Sequence, residues 1–155
     1  MKGELRVAVL MGSESDREVM EICVKELEKL GIGTELVVHS AHRQPKVTVE
    51  YVEGALERGA QVFIAGAGMA AALPGFVASL TMKPVIGVPI ASGLLGGLDA
   101  LLSIAQMPPG VPVATVAVGK AGAKNAALLA AEIVSLSDAV VAKRLEETRA
   151  AWHRS

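Results

Sequence analysis

Residues 5–18 read LRVAVLMGSESDRE and contain the boundary between a buried strand and a helix. Leu5 to Met11 is a short apolar run, which is typical of a strand buried inside a parallel sheet. Gly12 and Ser13 end that run, and the spacing of Ser15 and Glu18 predicts a capping box at the start of a helix. A strand that passes through a short polar turn directly into a helix favours an α/β fold.

The same alternation of strand and helix continues along the chain. Further strand-like runs cover 34–39, 62–65, 84–88 and 111–118, and helical patterns cover 45–58, 73–80, 97–107, 125–136 and 138–152. This order predicts a doubly wound parallel sheet with helices on both faces, joined by right-handed crossovers. In such sheets, ligands bind beyond the carboxyl ends of the strands, where the strand order reverses.

Composition narrows the class of protein. The 155 residues fit a single domain over 1–155, and a formal net charge of -1 gives no reason to expect nucleic acid or a membrane as partner. Hydrophobic residues make up 52% but aromatic residues only 3%, so the core is built from small aliphatic side chains that suit subunit packing, and we expect an oligomer. Cys23 is the single cysteine, Met1 to Leu5 lacks a signal-peptide pattern, and no apolar run is of membrane-spanning length, so we expect a cytoplasmic protein.

Small and polar residues follow each predicted strand and are the candidate ligand-binding residues. Gly12 and Ser13 lie just before the predicted helix start, where backbone N–H groups and hydroxyls favour a phosphate or another anion. Ser15 is explained equally well as a helix cap. Asp16 suits a hydrogen bond from a sugar hydroxyl or a ligand amine better than contact with the phosphate itself.

A second group, Ser40, His42 and Arg43, follows the second predicted strand. Arg43 can grip a phosphate or carboxylate with two parallel hydrogen bonds, and a surface arginine without a role is the alternative. His42 is the candidate in these loops for proton transfer near neutral pH, and a merely solvated loop histidine is the alternative. His39 is interpreted as structural and His153 as a surface residue.

Gly66, Ala67 and Gly68 follow the third predicted strand and resemble a dinucleotide-binding loop only superficially. That loop normally follows the first strand, and the helix here begins with Leu73-Pro74-Gly75. Small residues at this point let a substrate ring approach the backbone closely. Three scattered histidines and one cysteine do not form a zinc site, so we expect no metal.

Five segments, taken together, closely resemble the purine-biosynthesis PurE family, N5-carboxyaminoimidazole ribonucleotide mutase. They are GSESD at 12–16, SAHRQP at 40–45, GAGMAAALPG at 66–75, GLDALLSIAQMPPGVPVATVAVG at 97–119 and KNAALLAAEI at 124–133. The resemblance spans almost the whole chain in order. It implies a three-layer, flavodoxin-like fold that assembles as a homo-octamer, with active sites between subunits and no cofactor.

The resemblance also implies roles for the candidate residues. Carried over by position, Ser13, Asp16 and Arg43 bind the ribonucleotide, with Ser40 and the 66–68 loop nearby. His42 corresponds to the general acid/base. In the reaction that the resemblance implies, N5-carboxyaminoimidazole ribonucleotide loses carbon dioxide within the site. Ring carbon 4 then attacks the trapped carbon dioxide, and His42 removes the proton from that carbon to give 4-carboxyaminoimidazole ribonucleotide.

This sequence departs from the family pattern at three positions. Ala72 stands where the mutases have a histidine, and the related aminoimidazole ribonucleotide carboxylase, a lyase that uses free carbon dioxide, also lacks that histidine. Arg43 and the segment GLDALLSIAQMPPG favour the mutase, an isomerase, so the mutase is the main prediction and the carboxylase the alternative. Gln44 replaces a threonine, and Met69 replaces a glycine beside the site.

A non-catalytic module that binds a nucleoside monophosphate is a further alternative. It would share the predicted fold and the anion-binding loops, but His42 would be catalytically silent. A receiver-like signalling domain is disfavoured, because the third predicted strand ends in Gly66-Ala67-Gly68 and not in a phosphorylatable aspartate.

Overall fold

The computed structural model describes residues 4–153, so Met1–Gly3, part of the stretch examined for a signal peptide, lie outside it. The strands of this part of the chain are β1 (Val7–Met11), β2 (Thr34–Val38), β3 (Val62–Gly68), β4 (Val85–Ile90) and β5 (Ala114–Thr115). The helices are α1 (Arg17–Lys29), α2 (Pro45–Glu57), α3 (Leu73–Ala78), α4 (Leu98–Ala105), α5 (Lys120–Ser135) and α6 (Ala139–Trp152). Within residues 4–153, no helix combines the length and the apolar character needed to cross a bilayer.

The strands form one parallel sheet in the order β2-β1-β3-β4-β5. Met11 at the end of β1 is level with Val38 of β2 on one side and Gly66 of β3 on the other. The chain builds outward from β1 to β2 and then returns to the opposite side of β1 as β3. The strand order therefore reverses between β1 and β3, which confirms the doubly wound sheet predicted from the sequence.

Helices cover both faces of the sheet because successive strand residues point to opposite sides. Val7, Val9 and Met11 pack under α1, α5 and α6, whereas Ala8 and Leu10 pack under α2, α3 and α4. Alanine is the main contact residue on α5, at positions Ala123, Ala126, Ala127, Ala130 and Ala131. These small side chains let α5 approach the sheet and α1 closely, as the composition predicts.

Two sequence predictions of local structure are wrong. Ser15 does not cap α1: a 3₁₀ turn at Glu14–Asp16 precedes the helix, and Glu18 instead forms an ion pair with Lys120 at 2.7 Å. The fifth strand covers only Ala114–Thr115 and not 111–118. It lies at the sheet edge and pairs with β4 alone, and Pro112 within the predicted run has no N–H to donate to a ladder.

Two helical glycines give a matched test of the packing. A Cβ on Gly122 of α5 would lie 1.6 Å from the carbonyl oxygen of Ala117, whereas a Cβ on Gly54 of α2 would meet nothing within 4 Å. We expect Gly122→Ala to lower the free energy of unfolding by about 1–3 kcal/mol through overpacking. Gly54→Ala raises it by about 0.5–1 kcal/mol, because alanine is the better helix former.

Urea denaturation of both variants at one protein concentration checks this pair. Equal stability of the two alanine variants would contradict the close approach of α5 to the segment that follows β5.

Candidate active site

A cleft of about 530 Å³ lies beyond the carboxyl ends of the strands, where the strand order reverses. We call it the switch-point cleft. It is lined by Gly12, Ser13, Ser15, Asp16, Ser40, Ala41, His42, Arg43, Ala67, Gly68, Met69, Ala70, Ala71, Ala72, Leu73 and Ser92. Loops that follow β1, β2, β3 and β4 all contribute, so residues far apart in sequence meet here.

The loop after β1 presents two hydroxyls and a buried carboxylate. The hydroxyl oxygens of Ser13 and Ser15 are 2.9 Å apart, and Ser13 Oγ accepts the Ser15 N–H at 3.4 Å. Asp16 is only 5% exposed. Burial raises the pKa of Asp16, and a hydrogen bond from the Ser13 backbone partly offsets this. No lysine or arginine among the described residues forms an ion pair with Asp16, so its carboxyl group is available to a ligand hydroxyl or amine.

The loop after β2 is a closed turn fastened by its own side chains. Ser40 Oγ accepts the Arg43 backbone N–H at 3.2 Å and the Arg43 Nε–H at 3.4 Å. The Gln44 backbone N–H donates to the Ser40 carbonyl at 2.8 Å, and Gln44 Oε1 accepts the Ser40 N–H at 3.5 Å. Gln44 does not line the cleft, and its side chain holds the turn that presents His42 and Arg43.

Arg43 differs from the other arginines that the structure describes in lacking an anionic or carbonyl partner. Five of the six arginines within residues 4–153 donate to a carboxylate or to a backbone carbonyl, namely Arg6, Arg17, Arg58, Arg144 and Arg149. Arg43 donates only to the Ser40 hydroxyl, through Nε. Its two terminal nitrogens are therefore free to bind an anionic ligand in the forked geometry that suits phosphate.

The three histidines have different surroundings. His42 is exposed and lines the switch-point cleft. His39 is half-buried, and its ring packs against that of Tyr51 with centroids 5.2 Å apart. Burial lowers the pKa of His39, and His39 does not line the cleft. His153 is exposed just beyond the end of α6.

The end of β3 brings a glycine-rich backbone to the cleft. Gly66, Ala67 and Gly68 belong to the strand, whereas the sequence predicts a loop that begins after residue 65. Ala67 and Gly68 line the cleft, whereas Gly66 lies deeper in β3 and does not. A Cβ on Gly66 would lie 2.4 Å from Met20 Sδ, and one on Gly68 would lie 2.1 Å from Ser92 Oγ. Gly66 therefore allows α1 to pack against the sheet, and Gly68 allows the end of β3 and the loop after β4 to approach each other.

Sequence reasoning missed several residues that line the cleft. Ser92 follows β4 directly, and its position after a strand was a signal that could have identified it. Ser15, which the sequence explains equally well as part of an anion site or as a helix cap, lines the cleft and does not cap α1. Met69, identified from the sequence only as a replacement for glycine beside the site, lines the cleft with 60% of its surface exposed. Ala72 also lines the cleft and brings no proton donor to it.

A larger cleft of about 930 Å³ lies at the opposite end of the sheet, near the start of β4. Its lining is mainly apolar and includes one charged residue, Lys83. It has no candidate for acid/base chemistry comparable to His42. Among the described residues, no three His, Cys, Asp or Glu side chains come together to hold a metal ion.

Known proteins resemble this chain over nearly all of its length. A family model described as AIR carboxylase matches residues 6–155. The N5-carboxyaminoimidazole ribonucleotide mutase of Bacillus subtilis strain 168 is 54% identical over 92% of this chain and 88% of its own length. The protein of the same name from Escherichia coli K12 is 50% identical over 94% of this chain and 86% of its own length.

Among solved structures, Treponema denticola PurE matches with a TM-score of 0.86 and 34% identity, covering 96% of this chain and 91% of that one. With a family model that matches nearly every residue, and relatives about half identical along most of its length, the chain belongs to the AIR carboxylase family.

Proposed function

We propose that this chain is an N5-carboxyaminoimidazole ribonucleotide mutase, which moves a carboxyl group from the exocyclic nitrogen to ring carbon 4. Relatives named for that activity are 50% to 54% identical to it over most of their length. The observation that carries the proposal is the content of the switch-point cleft. This cleft brings together an arginine whose terminal nitrogens are free, serine hydroxyls, a buried carboxyl group and an exposed imidazole.

Each part of the ribonucleotide has a matching group in the cleft. The phosphate is bound by Arg43 and Ser13, because these residues supply a forked cation and a hydroxyl beside the first turn before α1. Asp16 accepts hydrogen bonds from the ribose hydroxyls. Ser40 and the backbone of Ala67 and Gly68 lie close to the ligand, since small residues there leave room for a ring.

The reaction needs one proton to be donated and then one to be removed, and the imidazole of His42 can perform both transfers. When the carbamate loses carbon dioxide, the N–C bond breaks and the exocyclic nitrogen takes up one proton. When ring carbon 4 attacks the carbon dioxide, the new C–C bond leaves that carbon with a proton that must depart. His42 gives the first proton and removes the second, so the reaction needs no other acid or base.

Carbon dioxide must remain beside the ring between these steps. Holding both fragments in one site avoids the entropic cost of a second encounter. The cleft of a single chain is open, because His42 and Arg43 are both exposed. A neighbouring subunit that covers the cleft would supply the enclosure that the reaction needs.

We therefore propose a homo-octamer with active sites between subunits. Leu98 and Leu102 are about half exposed on one side of α4, and Leu94 before it is fully exposed. Large apolar side chains grouped in this way mark a protein contact surface. A single domain over the whole chain and a cytoplasmic location belong to the same proposal, and Cys23, buried and without a disulfide, fits a reducing compartment.

Ala72 is the observation that favours the carboxylase as a second candidate. It lines the cleft but cannot donate a hydrogen bond to a carboxyl group during transfer. The protein would then bind aminoimidazole ribonucleotide and take carbon dioxide from solution, with His42 needed only to remove the proton from ring carbon 4. A binding module without catalysis would use the same anion site and leave His42 without a role.

Steady-state kinetics of two variants tests the assigned roles. We expect His42→Asn to lower kcat about 10²- to 10⁴-fold with little change in KM, because it removes proton transfer but leaves binding intact. Arg43→Ala mainly raises KM, by about 10- to 150-fold, which corresponds to about 1.5–3 kcal/mol for a charge-assisted hydrogen bond.

The matched controls are His153→Asn and Lys46→Ala. His153 is exposed at the far end of α6, and Lys46 is exposed in the first turn of α2 outside the cleft lining. Both controls keep the parent kinetics. A His42→Asn variant with the parent kcat, or an Arg43→Ala variant with the parent KM, would refute the corresponding assignment.

Light scattering after size exclusion tests the assembly. We expect the parent protein to elute with eight times the chain mass and Leu102→Glu to give smaller species, because a charge would be buried at the subunit contact. The matched control is Leu136→Glu, at an exposed position beyond α5. A parent protein that stays monomeric at assay concentrations would rule out the octamer.

A further inference from the structure

The backbone of the loop after β3 is strained at the edge of the switch-point cleft. Met69 has φ +55° and Ala71 has φ +42°, which lie in the left-handed region that residues with a Cβ rarely adopt. Glycine would be the least strained residue at either position. Strain of this kind persists where the surrounding structure imposes it, and its presence beside a site indicates a functional demand.

Both ends of this loop are fixed. Gly68 at the end of β3 packs so closely against Ser92 that a Cβ would lie 2.1 Å from the hydroxyl oxygen. Ala71 is 5% exposed within the core under α3, and its N–H donates to the Gly68 carbonyl at 2.9 Å. Met69 therefore lies at the exposed turn of a loop that has little room to relax.

Met69 contributes a long apolar side chain to a cleft whose other apolar lining is mainly alanine. It has the largest exposed apolar side chain among the lining residues, since Leu73 is only 2% exposed and the others are alanines. Its Cγ would lie 3.7 Å from a Cβ on Gly93, so the side chain extends toward the loop after β4. Ser13, Ser40 and Arg43 provide polar contacts elsewhere in the cleft.

We propose that Met69 is a specificity-determining residue, whose thioether packs against the aminoimidazole ring of the bound ribonucleotide. This inference rests on the proposed function. Phosphate and ribose are bound by charged and hydroxyl groups, which leaves Met69 as the largest exposed apolar side chain in the cleft that can contact the ring. A methionine sulfur in contact with an aromatic ring is favourable, and an unbranched side chain can follow the ring as the reaction proceeds.

The test compares two probes that differ by the ring, aminoimidazole ribonucleotide and ribose 5-phosphate, by calorimetric titration. We expect Met69→Gly to bind aminoimidazole ribonucleotide about three- to tenfold more weakly and ribose 5-phosphate unchanged. Met69→Asn gives the same result, because asparagine accepts the left-handed backbone without the flexibility of glycine. Met69→Leu keeps most of the affinity, since it retains an apolar side chain.

Thermal unfolding provides the second measurement. Met69→Gly and Met69→Asn melt no lower than the parent, and up to about 4 °C higher, because each relieves backbone strain. Weaker ligand binding in a protein that is no less stable separates a ligand contact from a structural role. Met82→Gly, at a fully exposed methionine at the opposite end of the sheet, is the control and keeps the parent affinity for both probes.

Three results would overturn the inference: parent affinity for aminoimidazole ribonucleotide in both Met69→Gly and Met69→Asn, an equal loss for ribose 5-phosphate, or an equal loss in Met69→Leu. Failure of the proposed function has a different signature. In that case the parent protein itself would not bind aminoimidazole ribonucleotide more tightly than ribose 5-phosphate, which would remove both the function and the role of Met69.

Discussion

The candidate site depends on one topological constraint: β1 and β3 lie side by side, yet they lead to helices on opposite faces of the sheet. The chain leaves β1 toward α1 on one face and leaves β3 toward α3 on the other. The two loops diverge, and a gap opens between them at the carboxyl edge. The hydroxyls of Ser13 and Ser15 line this gap from one loop and Met69 lines it from the other, so a ligand can be held from several directions.

Close packing at the strand ends sets the shape of this gap. Gly66 lets Met20 of α1 reach the sheet, and Gly68 lets Ser92 approach the end of β3. The turn after β2 is fixed in a different way, by hydrogen bonds among Ser40, Arg43 and Gln44. A rigid frame of this kind positions Arg43 and His42 while leaving both accessible to a ligand.

The sequence was sufficient to predict the layers and the edge of the sheet that holds the site. Alternating apolar runs and helical patterns predicted the parallel sheet, and polar residues after each strand predicted the cleft. The exact ends of helices and strands were harder to predict. Ser15 has the spacing of a helix cap, but the 3₁₀ turn before α1 gives the capping position to Ser13. The fifth strand lies at the edge of the sheet and pairs with β4 alone. Its length depends on how far this pairing extends, which the local sequence pattern does not show.

The sequence also could not predict residue roles that depend on neighbours in the folded structure. Gly66 and Gly68 are two residues apart, yet one serves helix packing and the other lines the cleft. Arg43 stands out only when the partners of the other arginines are known. The strain at Met69 is a property of the backbone, in a turn closed by the hydrogen bond from the Ala71 N–H to the Gly68 carbonyl.

The central claim is that carbon dioxide moves from nitrogen to carbon without leaving the cleft, and an isotope experiment tests it most directly. Purified protein would receive N5-carboxyaminoimidazole ribonucleotide in ¹³C-bicarbonate or, in parallel, aminoimidazole ribonucleotide with the same bicarbonate and dissolved carbon dioxide. The account predicts 4-carboxyaminoimidazole ribonucleotide from the first substrate, with its carboxyl carbon unlabelled. Product formed only from aminoimidazole ribonucleotide, or product labelled from the medium, would contradict it and identify a carboxylase; no product from either would indicate a protein that only binds the nucleotide.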